Sequence, residues 1–161
     1  DVDEFAIKLM HEFEGKPYKS VSSSDLNLES EENKKELEQK TADSKELFEF
    51  MKKAIGEDKV KEVRLSNRLK SHPVCLATEG PLSLEMEKVL NSMPSEKKVK
   101  AERILEINAN HSIFTTLKNL YDNDREKLKT YSEILYNQAL LIEGLEIEDP
   151  VAFSNAVCSL M

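Results

Sequence analysis

Apolar residues recur at helical spacing along most of this chain, and the breaks between the runs mark its elements. Phe5, Leu9 and Phe13 stand four residues apart, which predicts a helix over 4–14 with Gly15 as its stop. Residues 17–21 read as a candidate short strand. From 22 to 41 the chain is polar, Ser22-Ser23-Ser24 giving way to Glu29, Glu31, Glu32, Lys34, Lys35 and Glu36. Such a stretch has little to bury and reads as a linker or a loosely held helix. Asp43 and Glu46 have capping-box spacing. They predict a helix start at Asp43, with Leu47, Phe48, Met51 and Ile55 as its buried stripe and Gly56 as its end. Val60 to Leu65 reads as a strand with Val63 and Leu65 on one face. Val74 to Ala77 is a continuous apolar run, the pattern of a buried strand. Gly80-Pro81 marks a turn, Ser83 caps a helix over 83–93, 95–102 is a charged hinge loop, and 103–107 is a third strand. Helices follow at 111–121, 125–143 and 150–160.

The last two helices carry the clearest signals. Asn123 and Glu126 have capping-box spacing, Gly144 closes the longer helix, and Asp149-Pro150 places an N-cap before a proline at the first helical position. In the longer helix Leu128, Tyr131, Leu135, Gln138 and Ile142 step by three and four, the spacing of a helix in a bundle, with Ile134 and Leu141 alongside. Val151, Phe153, Val157 and Leu160 belong to the final helix. The short loop between the two predicts an antiparallel hairpin. Apolar residues cover more than one face of it, which predicts pairing with a second copy into a four-helix bundle. A core internal to one chain is the other reading.

Composition narrows the field. Charged residues make up 34% of the 161 positions, above the usual quarter, which favours solvated helices over a thick globule. A formal net charge of -8 argues against nucleic acid and anionic membrane as partners. No run approaches the roughly 18 apolar residues of a membrane span. Cys75 and Cys158 lie far apart in apolar runs, which suits a reduced, cytoplasmic chain. The acidic start, Asp1 to Glu4, is unlike a signal peptide, and reads as cut from a longer chain.

The helix after Ser83 places Leu82, Met86, Val89, Leu90 and Met93 on one face, with Leu84 elsewhere. Proline and a charged loop flank it, which predicts mobility. Methionine suits adaptable binding surfaces, so Leu82, Leu84, Met86, Val89, Leu90 and Met93 are candidates for contact with non-native protein chains. Ordinary core packing is the alternative. Catalytic chemistry is not marked. His72 and Cys75 have ligand-like spacing without a second pair to complete a zinc site. His111 at a helix start reads as a cap or surface residue, and Cys75 as an inert small hydrophobe.

Several segments together resemble one family. Gln138 to Gly144, Arg103 to Asn108 with His111 beyond, Ser66 to Leu69, Ser71 to Leu76, and Glu4 to Val21 resemble, in order and spacing, the end of the bacterial-type ninety-kilodalton heat-shock chaperones. Ala109 and Ser112 stand where that family usually has prolines. The resemblance implies an α+β fold: a small three-layer-like α/β portion with a short mixed sheet, then C-terminal helices forming a four-helix bundle across a homodimer. It implies one C-terminal dimerisation domain over 1–161, with 1–21 a junction from a middle domain, 22–110 the α/β portion and 111–161 the dimerising helices. The interface is expected at Leu128, Tyr131, Leu135, Gln138, Leu141, Ile142, Phe153, Val157 and Leu160. No enzyme activity, cofactor or metal is expected in the fragment, ATP and Mg belonging to a separate N-terminal domain of the full-length chaperone. The partners implied are a second copy and non-native clients, with co-chaperones a further candidate. The ending at Met161, without an acidic pentapeptide or a retrieval signal, favours the bacterial or organellar branch. A non-chaperone adaptor and a small α/β enzyme without a recognisable motif remain the competing readings.

Overall fold

The computed structural model describes residues 3–18, 31–94 and 98–161. In chain order its elements are α1 (Asp3–Met10), β1 (Glu12–Phe13), β2 (Lys16–Pro17), α2 (Glu31–Asp43), α3 (Lys45–Ile55), β3 (Glu62–Ser66), β4 (Val74–Glu79), α4 (Leu84–Ser92), β5 (Glu102–Asn108), α5 (Ser112–Asn123), α6 (Arg125–Ile142) and α7 (Pro150–Ser159). The chain divides into two compact units, one drawn from 1–28 with 77–102, the other from 29–76 with 103–161.

In the first unit the helix expected over 4–14 ends at Met10. His11, Glu14 and Gly15 all have positive φ (52°, 48° and 74°), which no α-helix accommodates. The chain instead makes a hairpin in which Phe13 pairs with Lys16 across the loop Glu14-Gly15. Two residues of positive φ are what a two-residue hairpin loop requires, so Gly15 serves the turn rather than a helix end. Lys16–Pro17 forms part of the strand expected over 17–21, and Lys19 to Val21 lie outside the described residues. The helix α4 starts as expected, Ser83 Oγ accepting from the Met86 N–H at 3.2 Å. Its far face is tied down. The buried Glu87 carboxylate accepts the Ala101 N–H at 2.8 Å. The Asn91 amide exchanges two hydrogen bonds with the Val99 backbone, at 2.8 and 2.9 Å. Both contacts join α4 to the segment that leads into β5.

The second unit carries most of the core. Part of the polar stretch expected to be a linker or loose helix is α2, and 22–30 lie outside the described residues. Because α2 runs through Asp43, α3 begins at Lys45 and the Asp43–Glu46 capping box does not form; Ser44 occupies the N-cap without a side-chain bond to the helix. The stripe Leu47, Phe48, Met51 and Ile55 is buried as its spacing predicts. It packs α3 against β3, α5 and α6. Phe48 and Phe114 stack with centroids 6.4 Å apart.

The sheet has the order β3-β5-β4. β3 and β5 are parallel, Val63 opposite Leu105 and Leu65 opposite Ile107, and these four residues form its apolar face. Every residue from Ile104 to Asn108 is buried, as in a central strand covered on both sides. Asn108 satisfies its own burial. Its Nδ2 donates to the carbonyls of Lys70 and His72, and its Oδ1 accepts the Asn110 N–H. The next helix is capped by His111, whose Nδ1 accepts the Ile113 N–H at 3.0 Å. The fold is therefore mixed α+β, with small sheets and packed helices. Leu105 has no exposed surface. Leu105→Ala should lower unfolding free energy by about 2–5 kcal/mol, read as a reduced urea midpoint with unchanged slope.

Candidate functional site

The helices α6 and α7 present two different faces. On α6, Leu128, Ser132, Leu135, Tyr136, Ala139 and Leu140 are buried. They follow the helical repeat, and the neighbours that cover them are α3 and α5. Asp124, not Asn123, is the N-cap of α6, its Oδ1 accepting the Lys127 N–H at 3.0 Å. The expected Asn123–Glu126 box is absent because α5 continues through Asn123. The expected interface set is thus divided by the fold. Leu128 and Leu135 are core of the single chain, Tyr131 and Gln138 are half-buried, and Leu141 and Ile142 are 52% and 45% exposed.

The helix α7 starts as its sequence predicts, Asp149 Oδ1 accepting the Ala152 N–H at 2.9 Å with Pro150 at the first turn. It has no buried residue. Val151 is 70% exposed, while Phe153, Val157 and Leu160 are half-buried. A cleft of about 280 Å³ lies alongside, lined by Ile55, Lys59, Ile134, Ala152, Phe153 and Ala156 among others. At its rim the Lys59 ammonium meets the Glu148 carboxylate at 2.7 Å, and that hydrogen bond raises the Lys59 pKa despite partial burial. Beneath, the Tyr136 hydroxyl accepts from Arg103 Nη1 at 2.9 Å and donates to the Lys59 carbonyl at 3.3 Å. Burial pushes the Tyr136 pKa up.

A second charged centre lies on the sheet. Glu106 stands opposite Arg64 in the β3–β5 register, and only 2% of its side chain reaches solvent. Arg64 reaches one carboxylate oxygen through Nη2 at 2.7 Å and Nε at 3.2 Å; Arg68 reaches the other at 2.6 and 3.1 Å. The Cys75 thiol donates to the same carboxylate at 3.7 Å. Burial pushes the Glu106 carboxyl up, but the two guanidiniums outweigh it and hold its pKa below the ordinary value. Burial and then the Glu106 charge push the Cys75 thiol up to about 12, so it stays protonated and unreactive, as a small hydrophobe should. No spacing in the chain announced this centre, because Glu106 reads as the polar position of an alternating strand. The available signal was a carboxylate set between the apolar residues Ile104, Leu105 and Ile107.

The candidate contact residues near α4 also divide. Leu84 is 2% exposed and is core, so it leaves the client-contact set. Leu82, Met86, Val89 and Leu90 are half-buried, and Met93 is 54% exposed. Cys75 and Cys158 are both free thiols.

Over its whole length, residues 1–161, the chain matches the Hsp90 protein family model. The chain belongs to the Hsp90 family of chaperones. Among curated relatives it is 58% identical to chaperone protein HtpG of Bacillus velezensis, 58% to that of Alkaliphilus metalliredigens and 54% to that of Bacillus subtilis. Each alignment takes in 100% of this chain and 26% of the relative. The chain thus spans about a quarter of the length of these relatives.

These findings correct three expectations. The chain was expected to be a dimerisation module, to have no part in enzyme activity, and to hold neither ATP nor Mg. The match runs through all 161 residues and makes the chain part of an Hsp90 protein, without setting it apart from that family's ATPase chemistry. Among the described residues no three His, Cys, Asp or Glu side chains come together to hold a metal ion. No helix among the described residues is long and apolar enough to cross a membrane.

Replacing Glu106 tests the charged centre. Glu106→Gln leaves two guanidiniums facing a neutral amide and should cost about 3 kcal/mol or more at pH 7. The wild-type contribution is present above the unfolded carboxyl value of about 4.3 and is lost as pH falls through the lower folded value. Urea denaturation across pH should therefore show the gap between variant and wild type narrowing in acid.

Proposed function

We propose that this chain supplies an Hsp90-family chaperone with surface for holding other polypeptide chains, centred on the exposed edge of α6 and on α7. The observation that carries this reading is the state of α7, an apolar helix with no buried residue, next to the exposed Leu141 and Ile142. An uncovered apolar edge of this kind marks an interaction site. Val151, Phe153, Val157 and Leu160 extend it along α7, and Tyr131 and Gln138 flank it on α6. A second copy of the chain is one occupant with the right form. Two helical hairpins meeting about a two-fold axis would make a four-helix arrangement, burying roughly 1,200–2,000 Å² if stable. Non-native chains are the other partner, met by the half-exposed edge of Met86, Val89, Leu90 and Met93. Unpaired thiols suit a cytoplasmic setting. Co-chaperones are further partners of the whole protein in this reading.

Sedimentation equilibrium over a wide concentration range tests the first contact. The wild-type chain should associate, and the triple variant Leu141→Ser, Ile142→Ser, Val151→Ser should weaken association at least about tenfold while keeping its melting temperature at low concentration. A wild-type chain that stays monomeric throughout would sink this part of the proposal. Suppression of aggregation of a heat-denatured protein tests the second. Met86→Ser with Met93→Ser should reduce protection and leave the helical circular dichroism unchanged; loss of that signal would identify the two methionines as core.

A further inference from the structure

The helix α7 packs lightly on α6. It has no buried residue, and the cleft beside Ala152, Phe153 and Ala156 shows that it does not close fully onto Ile55 and Ile134. Apolar packing of that kind fixes a helix only weakly, because unfilled space forfeits dispersion contacts. The loop ahead of it, by contrast, makes a defined polar contact with the rest of the unit. Glu148, directly before the N-cap Asp149, meets Lys59 at 2.7 Å. Lys59 sits in the turn between α3 and β3, and that turn is itself held from below. Its carbonyl accepts the Tyr136 hydroxyl, which Arg103 engages in turn, and Gly56 accepts the N–H groups of Lys59 and Val60. The cation therefore stands on a rigid corner, while the anion stands at the root of a lightly packed helix.

We infer that the Lys59–Glu148 ion pair is an electrostatic latch setting the pose of α7, so that presentation of this helix responds to ionic strength. Glu148 is 70% exposed and Lys59 33%, so ions reach the pair and weaken it. The expected effect is small, about a two- to fivefold change in the docked population, because solvent-exposed pairs are worth little. A small bias suffices where apolar packing is loose. The inference rests on the proposed role of α7 only for its consequence; the latch itself is a property of the single chain.

Amide hydrogen exchange of residues 150–159 tests it on the 161-residue chain, at concentrations where it is monomeric. Raising salt from about 50 mM to about 500 mM should speed exchange in α7 about two- to fivefold, with α3 and α6 unchanged. Lys59→Met and Glu148→Gln should each show faster exchange at low salt and a smaller salt response. The double variant Lys59→Glu with Glu148→Lys should restore both. Single variants that exchange like wild type, or a swap that restores nothing, would overturn the latch. Sedimentation of the same proteins separates the two ideas: a chain that never associates removes the proposed contact and leaves the exchange result standing on its own.

Discussion

A carboxylate with almost no access to water has to be met by charge, and Glu106 is met twice. Removing such a group from water costs several kcal/mol, and only close, well-aligned cations offset it. Arg64 comes from the neighbouring strand at the same register position; Arg68 comes from the segment that leaves that strand. Glu106 thus joins the β3–β5 pairing and the exit of β3 at a single point, with the Cys75 thiol of β4 against the same oxygen as Arg68. An apolar side chain at this position would leave the Arg64 and Arg68 guanidiniums without their carboxylate. It would not define register or the path of the chain after β3, because apolar contact has no direction. With the register set, Val63, Leu65, Leu105 and Ile107 fall on one face, where α3 and the helices packed on it can cover them.

From that frame the placement of α3 follows, and from α3 the division of α6. One face of α6 is taken by α3 and α5, which is why Leu128 and Leu135 belong to the interior of a single chain. The exposed large apolar residues of α6 are Leu141 and Ile142 at its C-terminal end. The same helix therefore contributes to stability through one set of residues and to proposed contact through another. The corner formed by Gly56 to Val60, Tyr136 and Arg103 connects the two. It ends the core helix α3 and presents Lys59 to the root of α7.

Most element types were legible in the amino-acid pattern. The stripe on α3, the capping serine of α4, the buried run of β4 and the Asp149-Pro150 start of α7 all appear where local chemistry puts them. Such features involve residues a few positions apart, and the physics that decides them is equally local. The departures also have local causes. Positive φ at Glu14 and Gly15 turned an expected helix end into a hairpin, and the continuation of α2 and α5 removed both expected capping boxes. Spacing alone could not report these, because it does not show which of two adjoining helices claims a boundary residue.

Sequence by itself determined the family, the helical and strand segments and the amphipathic character of α4, α6 and α7, since each depends on identity and short-range order. Only the tertiary structure decided which apolar residues are core. Leu128 and Leu135 belong to the same stripe as Ile142, and differ from it in what the rest of the fold lays against them. It also decided that Glu106 is buried between two arginines that stand 42 and 38 positions away, and that Lys59 reaches Glu148. Interactions between residues so distant in the chain exist only once the sheet register and helix packing have brought them together.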